Sequence, residues 1–306
     1  MKAKVLFRLL KETFQEWQAD KASRLAAALA YYTIFSLAPL LIMAIAIAGS
    51  IFGEEAAKGE IVGQIQELVG TEGATVIETA IKNANQPRIS NMASLISVGV
   101  LLFGASGVFA QLQDALNTIW NVKVKPKQGV LNFIHKRILS FSAVLGIGFL
   151  LLVSLVISAA LSALNKYMEH LIPGAHFLWE ILNIAVSFSL VTLLFALMYK
   201  FLPDVKIKWS DVWTGAIITA LLFTIGKFAL GLYLGRGSFG STYGAAGSLV
   251  VLLAWVYYSA QILFFGAEFT QVYAREYGSQ IIPDQHAMYV ADWERLRQGM
   301  ENRKYK

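Results

Sequence analysis

The chain has 306 residues, of which 56% are apolar and 15% are Asp, Glu, Lys or Arg, against about 25% charged in an average soluble domain. Forty-six charged side chains, 26 basic and 20 acidic, are too few to cover the water-facing surface of a soluble protein this long, so the composition points to lipid as the solvent. There is no cysteine, which excludes disulfides, thiolate metal sites and a cysteine nucleophile; the net charge of +6 suits nucleic acid or an anionic membrane surface, and its distribution must choose.

Residues 1–24 place Leu6, Leu10, Phe14 and Trp17 on one face at helical spacing, with Lys11, Glu12, Gln15 and Glu16 elsewhere. Two readings are open: an interfacial helix on the inner leaflet, where each nearby Lys or Arg gains about 1 kcal/mol from anionic lipid, or an amphipathic helix packed on the end of the bundle. The segment is charged along its whole length and offers no short apolar core with a cleavage site, so the first span is expected to be retained.

Crossing hydrocarbon takes about 20 apolar residues of helix. Six runs meet that length: Leu25 to Phe52, Asn91 to Trp120, Ile138 to Leu164, Trp179 to Leu202, Val212 to Leu234 and Ala245 to Tyr273. Helices of a soluble core show a polar stripe at a 3.6-residue period, whereas Ser140 to Ala160 carries no charge anywhere around the helix. The expected fold is therefore all-α and polytopic, with a six-span transmembrane domain over 25–273, a segment 1–24 before it and a tail 274–306 after it.

Pro39 lies in the middle of the first span, where its ring removes a backbone bond to Phe35 and predicts a kink that could act as a hinge or line a cavity. The loop from Gly53 to Ser90 holds two helical patterns, Ile61, Ile65, Leu68 and Val69, then Ala74, Ile77, Ala80 and Ile81, so an outer helical hairpin is expected between spans one and two. Gly104 and Gly107 in span two, and Gly226, Gly231 and Gly235 in span five, offer small faces for close helix contact. Gly235 to Gly247 holds five glycines in 13 positions, Gly244 among them, which suits a tight irregular turn or a shallow re-entrant segment.

Lys and Arg sort sharply by segment. The N-terminal stretch, the second and fourth loops and the tail carry 20, the opposite side carries five, and Lys227 lies inside a span. The positive-inside rule then puts both termini in the cytoplasm of a multi-pass inner-membrane protein. The first outer loop compensates with Glu54, Glu55, Glu60, Glu67, Glu72 and Glu78. The +6 reads as a topology signal, and nucleic acid is not an expected partner; membrane lipids are, with a homo-oligomer as a further possibility.

A charge inside hydrocarbon costs about 2.5 to 3.5 kcal/mol on insertion scales, so each one is a candidate site. Three qualify: Asp114, Lys227 and Glu268. Asp114 sits among Gln111, Gln113 and Asn117 near the inner end of span two, and Glu268 sits near the inner end of span six beyond Gln261, so the two carboxylates are expected at similar depth. Three outcomes are open to them: a proton or cation site in a shared polar cavity, pairing with Lys21, Arg24 or Lys200, or exposure at the headgroups. Lys227, in the outer third of span five, could snorkel, meet Glu180 or present a cation to an anionic substrate.

Catalytic signatures are scarce. His135, His170, His176 and His286 show no metal-binding spacing, and there is no P-loop, no GxSxG elbow and no glycine fingerprint after a strand. The expectation is a protein that is not an enzyme and carries no metal or cofactor.

Three stretches, Ala26 to Leu40 (AAALAYYTIFSLAPL), Phe201 to Trp209 (FLPDVKIKW) and Tyr243 to Ala274 (YGAAGSLVVLLAWVYYSAQILFFGAEFTQVYA), together resemble the YihY/BrkB family of bacterial inner-membrane proteins. The resemblance runs from about residue 20 to 275. It implies a six-span inner-membrane protein with suggested links to serum resistance and envelope lipid export, and it gives weight to Pro39, Pro203, Asp204, Gly244, Gly247, Trp255, Tyr257, Gly266 and Glu268. The family has also carried a ribonuclease label, yet this sequence lacks the clustered His and Asp that a metal-dependent nuclease requires. The leading expectation is a transporter of a lipid or anionic amphiphile, with a polar cavity lined by spans one, two, five and six; the alternative is a non-transporting scaffold for envelope proteins.

Overall fold

A computed structural model describes residues 3–59, 61–63, 66, 78–79, 107–125, 176–236 and 247–297. Expected span three, most of the expected outer hairpin, Gly244 and the tail from 298 onward lie outside the described residues. The chain runs as helix α1 (Ala3–Ala19), α2 (Ala22–Phe52), α3 (107–119), strand β1 (Val122–Val124), α4 (His176–Phe201), β2 (Val205–Lys206), α5 (Trp209–Arg236), α6 (Gly247–Glu276), β3 (Ile282–Pro283), β4 (Ala287–Tyr289) and α7 (Val290–Arg297).

Among the described residues three helices are long and apolar enough to cross a membrane, through Ile184–Phe201 of α4, Trp209–Leu230 of α5 and Leu249–Glu276 of α6. The 31-residue α2 occupies the first expected span and stays helical through Pro39. The surface of α5 shows what surrounds it. Trp213, Ile217, Leu221, Ile225 and Phe228 recur at steps of three and four and are all exposed, Phe228 to 70%. In water this stripe would be a large unburied apolar patch; against acyl chains it is the ordinary outer face of a span. Trp209 and Trp213, tilted against each other at 6.5 Å, stand at the N-terminal end of α5, the kind of position at which membrane spans carry an aromatic belt.

Helix α6 is the hub, packing against α5 on one side and against α1 and α2 on another, while α4 backs α5. The α5–α6 contact is built from small residues facing threonines. A Cβ at Gly215 would fall 1.7 Å from Thr270 Oγ1, one at Gly266 would fall 1.9 Å from Thr219 Oγ1, and one at Gly226 would fall 2.7 Å from Ile262 Cδ1. The partners run down in sequence on α6 as they run up on α5, so the helices are antiparallel with backbones in close approach. Each threonine returns its hydroxyl to its own helix, Thr219 to the Gly215 carbonyl (2.8 Å) and Thr270 to the Gly266 carbonyl (2.7 Å), so no polar hydrogen is stranded at the crossing. Tyr199 of α4, fully buried, caps the seam by donating to the Leu263 carbonyl at 2.7 Å, with Thr219 Oγ1 3.0 Å away.

Four short strands among the described residues depart from the all-α expectation. β1 pairs antiparallel with β4 and β2 with β3, so the residues after α6 fold back over the ends of α3 and α4. Two- and three-residue strands are too short to leave an alternating pattern, and their ladders exist only because helix ends hold them together. The left-handed Asn121 (φ 53°) opens β1, and its carbonyl accepts the Val290 amide at 3.0 Å.

Helices α1 and α2 are separated by a sharp break at Asp20–Lys21 that uses neither Gly nor Pro. Lys21 adopts the left-handed region (φ 54°, ψ 40°), a conformation that costs a non-glycine residue roughly 1–2 kcal/mol. The break turns α1 back along α6, where Leu9 is fully buried against Phe269 and Val272. Phe7 and Phe14 remain exposed on α1, so this helix packs on the bundle with one face and keeps an apolar face outward.

Candidate functional site: a buried polar seam on α6

The seam begins with spacing. Gln261, Glu268 and Arg275 recur every seven residues on α6, which is two helical turns less about 20°, so they share one stripe, with Gln271 beside it. Opposite lie Glu16 and Asp20, four residues apart at the end of α1 and in the turn to α2. Outer ion pairs clamp the two elements: Arg275 Nη1 donates to Glu16 Oε1 at 2.8 Å, and Arg8 Nη2 donates to Glu276 Oε2 and to the Tyr277 hydroxyl, both at 2.6 Å. These pairs are exposed, and each adds at most about 1 kcal/mol.

Beneath the clamp the polar groups are poorly matched. Glu268 is fully buried, and among the described residues neither of its carboxylate oxygens receives a hydrogen bond from a protein donor. Gln261 Oε1, Gln271 Oε1 and Trp17 Nε1 are likewise buried without a partner among the described residues. Such groups normally cost about 1–3 kcal/mol each, and more when charged. What faces Glu268 is a second carboxyl, that of Asp20, within hydrogen-bonding reach, with the Glu16 and Arg275 charges beyond it. Burial and the neighbouring Glu16 charge push Asp20 up to about 6, against the opposing effect of its contact with Glu268.

The other expected site residues are distributed differently. On α3, Gln113 and Asn117 point into the protein and Asp114 stands exposed, its main-chain carbonyl accepting the Thr118 hydroxyl at 2.9 Å; Gln111 is half-buried. The partner of the inward pair is Asp204, in the turn after α4. Asn117 Nδ2 donates to Asp204 Oδ2 at 2.7 Å, Gln113 Nε2 donates to Asp204 Oδ1 at 3.2 Å, and the Asp204 amide donates to Asn117 Oδ1 at 2.8 Å. Asn117 is thus one half of a clasp that fastens α3 to the α4–β2 turn, while Glu268 looks toward Asp20 and Glu16.

Lys227 is exposed on α5 at the lip of a tight crevice against α6, beside Phe223, Trp255, Tyr258 and Ile262, with no room inside for a water molecule. Gly235 lies in the last turn of α5 and Gly247 opens α6. Among the described residues no group of three His, Asp or Glu is placed to hold a metal ion.

A carboxyl in the turn after the N-terminal helix, Asp20, is the seam member that sequence reasoning missed. Its spacing to Glu16 was visible, but acids on an amphipathic helix are ordinary, and only the break at Lys21 turns them onto α6.

A family profile described as Virulence factor BrkB matches residues 13–289. The chain is similar to a UPF0761 membrane protein of Verminephrobacter eiseniae, 28% identical over 278 residues that are 87% of this chain and 61% of that protein. It is also similar to one of Rhodospirillum centenum, 29% identical over 80% of this chain and 53% of that protein, and to one of Mannheimia succiniciproducens, 29% identical over 88% and 89%. The chain therefore spans less than two thirds of the first two relatives and most of the third. No solved structure matches it. The profile covers the seam, the clasp and every described span, and the chain belongs to the BrkB (YihY) family of integral membrane proteins.

Proposed function

We propose that the protein moves a lipid or another anionic amphiphile across the bacterial inner membrane, as a multi-pass carrier with both termini in the cytoplasm and no catalytic chemistry of its own. The observation that supports this reading is the position of Lys227, an exposed cation on the apolar surface of α5 beside Phe223, Trp255, Tyr258 and Ile262, on two helices of membrane-spanning length. A lysine in such surroundings is expensive unless its ammonium reaches water, a headgroup or an anionic ligand, and an amphiphile supplies an anion and a chain together. The distribution of 20 basic residues on one side against five on the other supports the orientation.

Lys227 separates this reading from a scaffold. In vesicles of mixed phosphatidylglycerol and phosphatidylcholine, the full-length protein is expected to move labelled phosphatidylglycerol faster than phosphatidylcholine. Lys227→Met should cut the anionic rate about tenfold, equivalent to ~1.4 kcal/mol, and Lys227→Arg should retain most of it. Equal rates for both lipids in wild type and Lys227→Met would remove the anion-binding role. A stoichiometric envelope-protein partner recovered by crosslinking, with no lipid movement, would replace the carrier with a scaffold.

A further inference from the structure

We infer that Glu268 of α6 and Asp20 of the α1–α2 turn form a proton-binding site, two carboxyl groups holding one proton between them. The site stands whether or not the protein carries an amphiphile. Its basis is geometric: a fully buried carboxyl whose two oxygens receive no protein donor among the described residues, faced by another carboxyl within hydrogen-bonding reach. Two carboxylates present only acceptors to each other, so their approach becomes a bond only when a proton sits on one oxygen and is donated to the other.

The surrounding charges favour that state. Among the described residues the charged groups that face Glu268 are Asp20 and Glu16 from the N-terminal side and Arg275 from α6 itself. Three acids and one base sum to −2 when all are ionised, and one bound proton brings the cluster to −1. Arg275 is already engaged by Glu16 at 2.8 Å, so it is not spare to neutralise Glu268. Asp20, raised from 3.8 to about 6, is the first of the pair to ionise: the stability that its own protonated form lends to the docked α1 is complete at low pH and is lost as pH rises through about 6, and above that pH the pair holds the single remaining proton. Deprotonating the pair sets like charges against each other across the α1–α6 contact, which makes the docking of α1 the element that senses the proton.

The test is infrared titration of the full chain in lipid nanodiscs, following the carbonyl stretch of protonated carboxyl groups, in sodium and in choline buffers. Wild type is expected to show a protonated-carboxyl band at neutral pH that disappears on alkalinisation and is the same in both buffers. Glu268→Gln should abolish the band, and Asp20→Asn, at a half-buried turn position where folding is less at risk, should shift its frequency and its pH midpoint. Trypsin cleavage within α1 should accelerate about tenfold once the band is lost in wild type, and should stay slow in Glu268→Gln. Absence of a protonated carboxyl at neutral pH, or a band that Asp20→Asn leaves unmoved, overturns the site. A band that sodium abolishes and choline does not would assign the pair to a metal cation and equally overturn the proton.

Discussion

Gly266→Ala is expected to destabilise the protein by about 3 kcal/mol, the upper end of overpacking costs, although it adds one methyl group. The methyl would enter the space 1.9 Å from Thr219 Oγ1 and 2.6 Å from the Tyr199 hydroxyl. Neither group can leave freely. Thr219 is bonded to the Gly215 carbonyl and Tyr199 to the Leu263 carbonyl, so yielding exposes buried acceptors and yielding by the backbone parts α5 from α6. Moving the glycine across the seam, Thr219→Gly with Gly266→Ala, should recover half or more of the loss. The double variant should thus be more stable than the sum of the singles by at least ~1 kcal/mol. Purely additive costs in a denaturant or thermal unfolding series would show that the helices do not meet in this register.

Asp204→Ala should cost a comparable amount, on the order of 3 kcal/mol, by a different route. Removing the carboxylate leaves the amide donors of Gln113 and Asn117, 2% and 5% exposed, without their acceptor. Asp204→Asn should fall between, since one amide oxygen can serve Asn117 while its NH₂ faces the Gln113 donor. The Asp204 carbonyl also accepts the Asp284 amide at 2.9 Å, so loosening the clasp should reach β2 and β3 and speed proteolysis after α6. An Asp204→Ala protein with the unfolding midpoint and tail protection of wild type would contradict the clasp.

Both residues show where sequence legibility ended. The apolar runs made α2, α4, α5 and α6 readable because lipid demands unbroken apolar helices, and no tertiary context can override that demand. Glu268 was conspicuous for the same reason. Its partner was not: Asp20 and Glu16 belong to an amphipathic segment where acids need no explanation, and the break that turns them inward rests on a left-handed lysine with no Gly or Pro to announce it. The α5–α6 seam was half visible. Glycine clustering marks Gly226, Gly231 and Gly235 but not Gly215–Thr219 or Gly266–Thr270, where the second small residue is a threonine that hides its hydroxyl on its own helix. Asn117 was conspicuous as a polar residue in a span, but Asp204 lies 87 positions away, a pairing that no local pattern encodes.

The measurement that bears most directly on the whole account is lipid flux in vesicles carrying the purified full-length protein at defined density, read by quenching of labelled phosphatidylglycerol that reaches the outer leaflet. Carriage of an anionic amphiphile predicts movement well above protein-free vesicles, a loss in Lys227→Met and a slower rate in Glu268→Gln with the fold intact. Flux at the protein-free level for phosphatidylglycerol and for every other anionic lipid tested, from protein that retains its native unfolding transition, would contradict it.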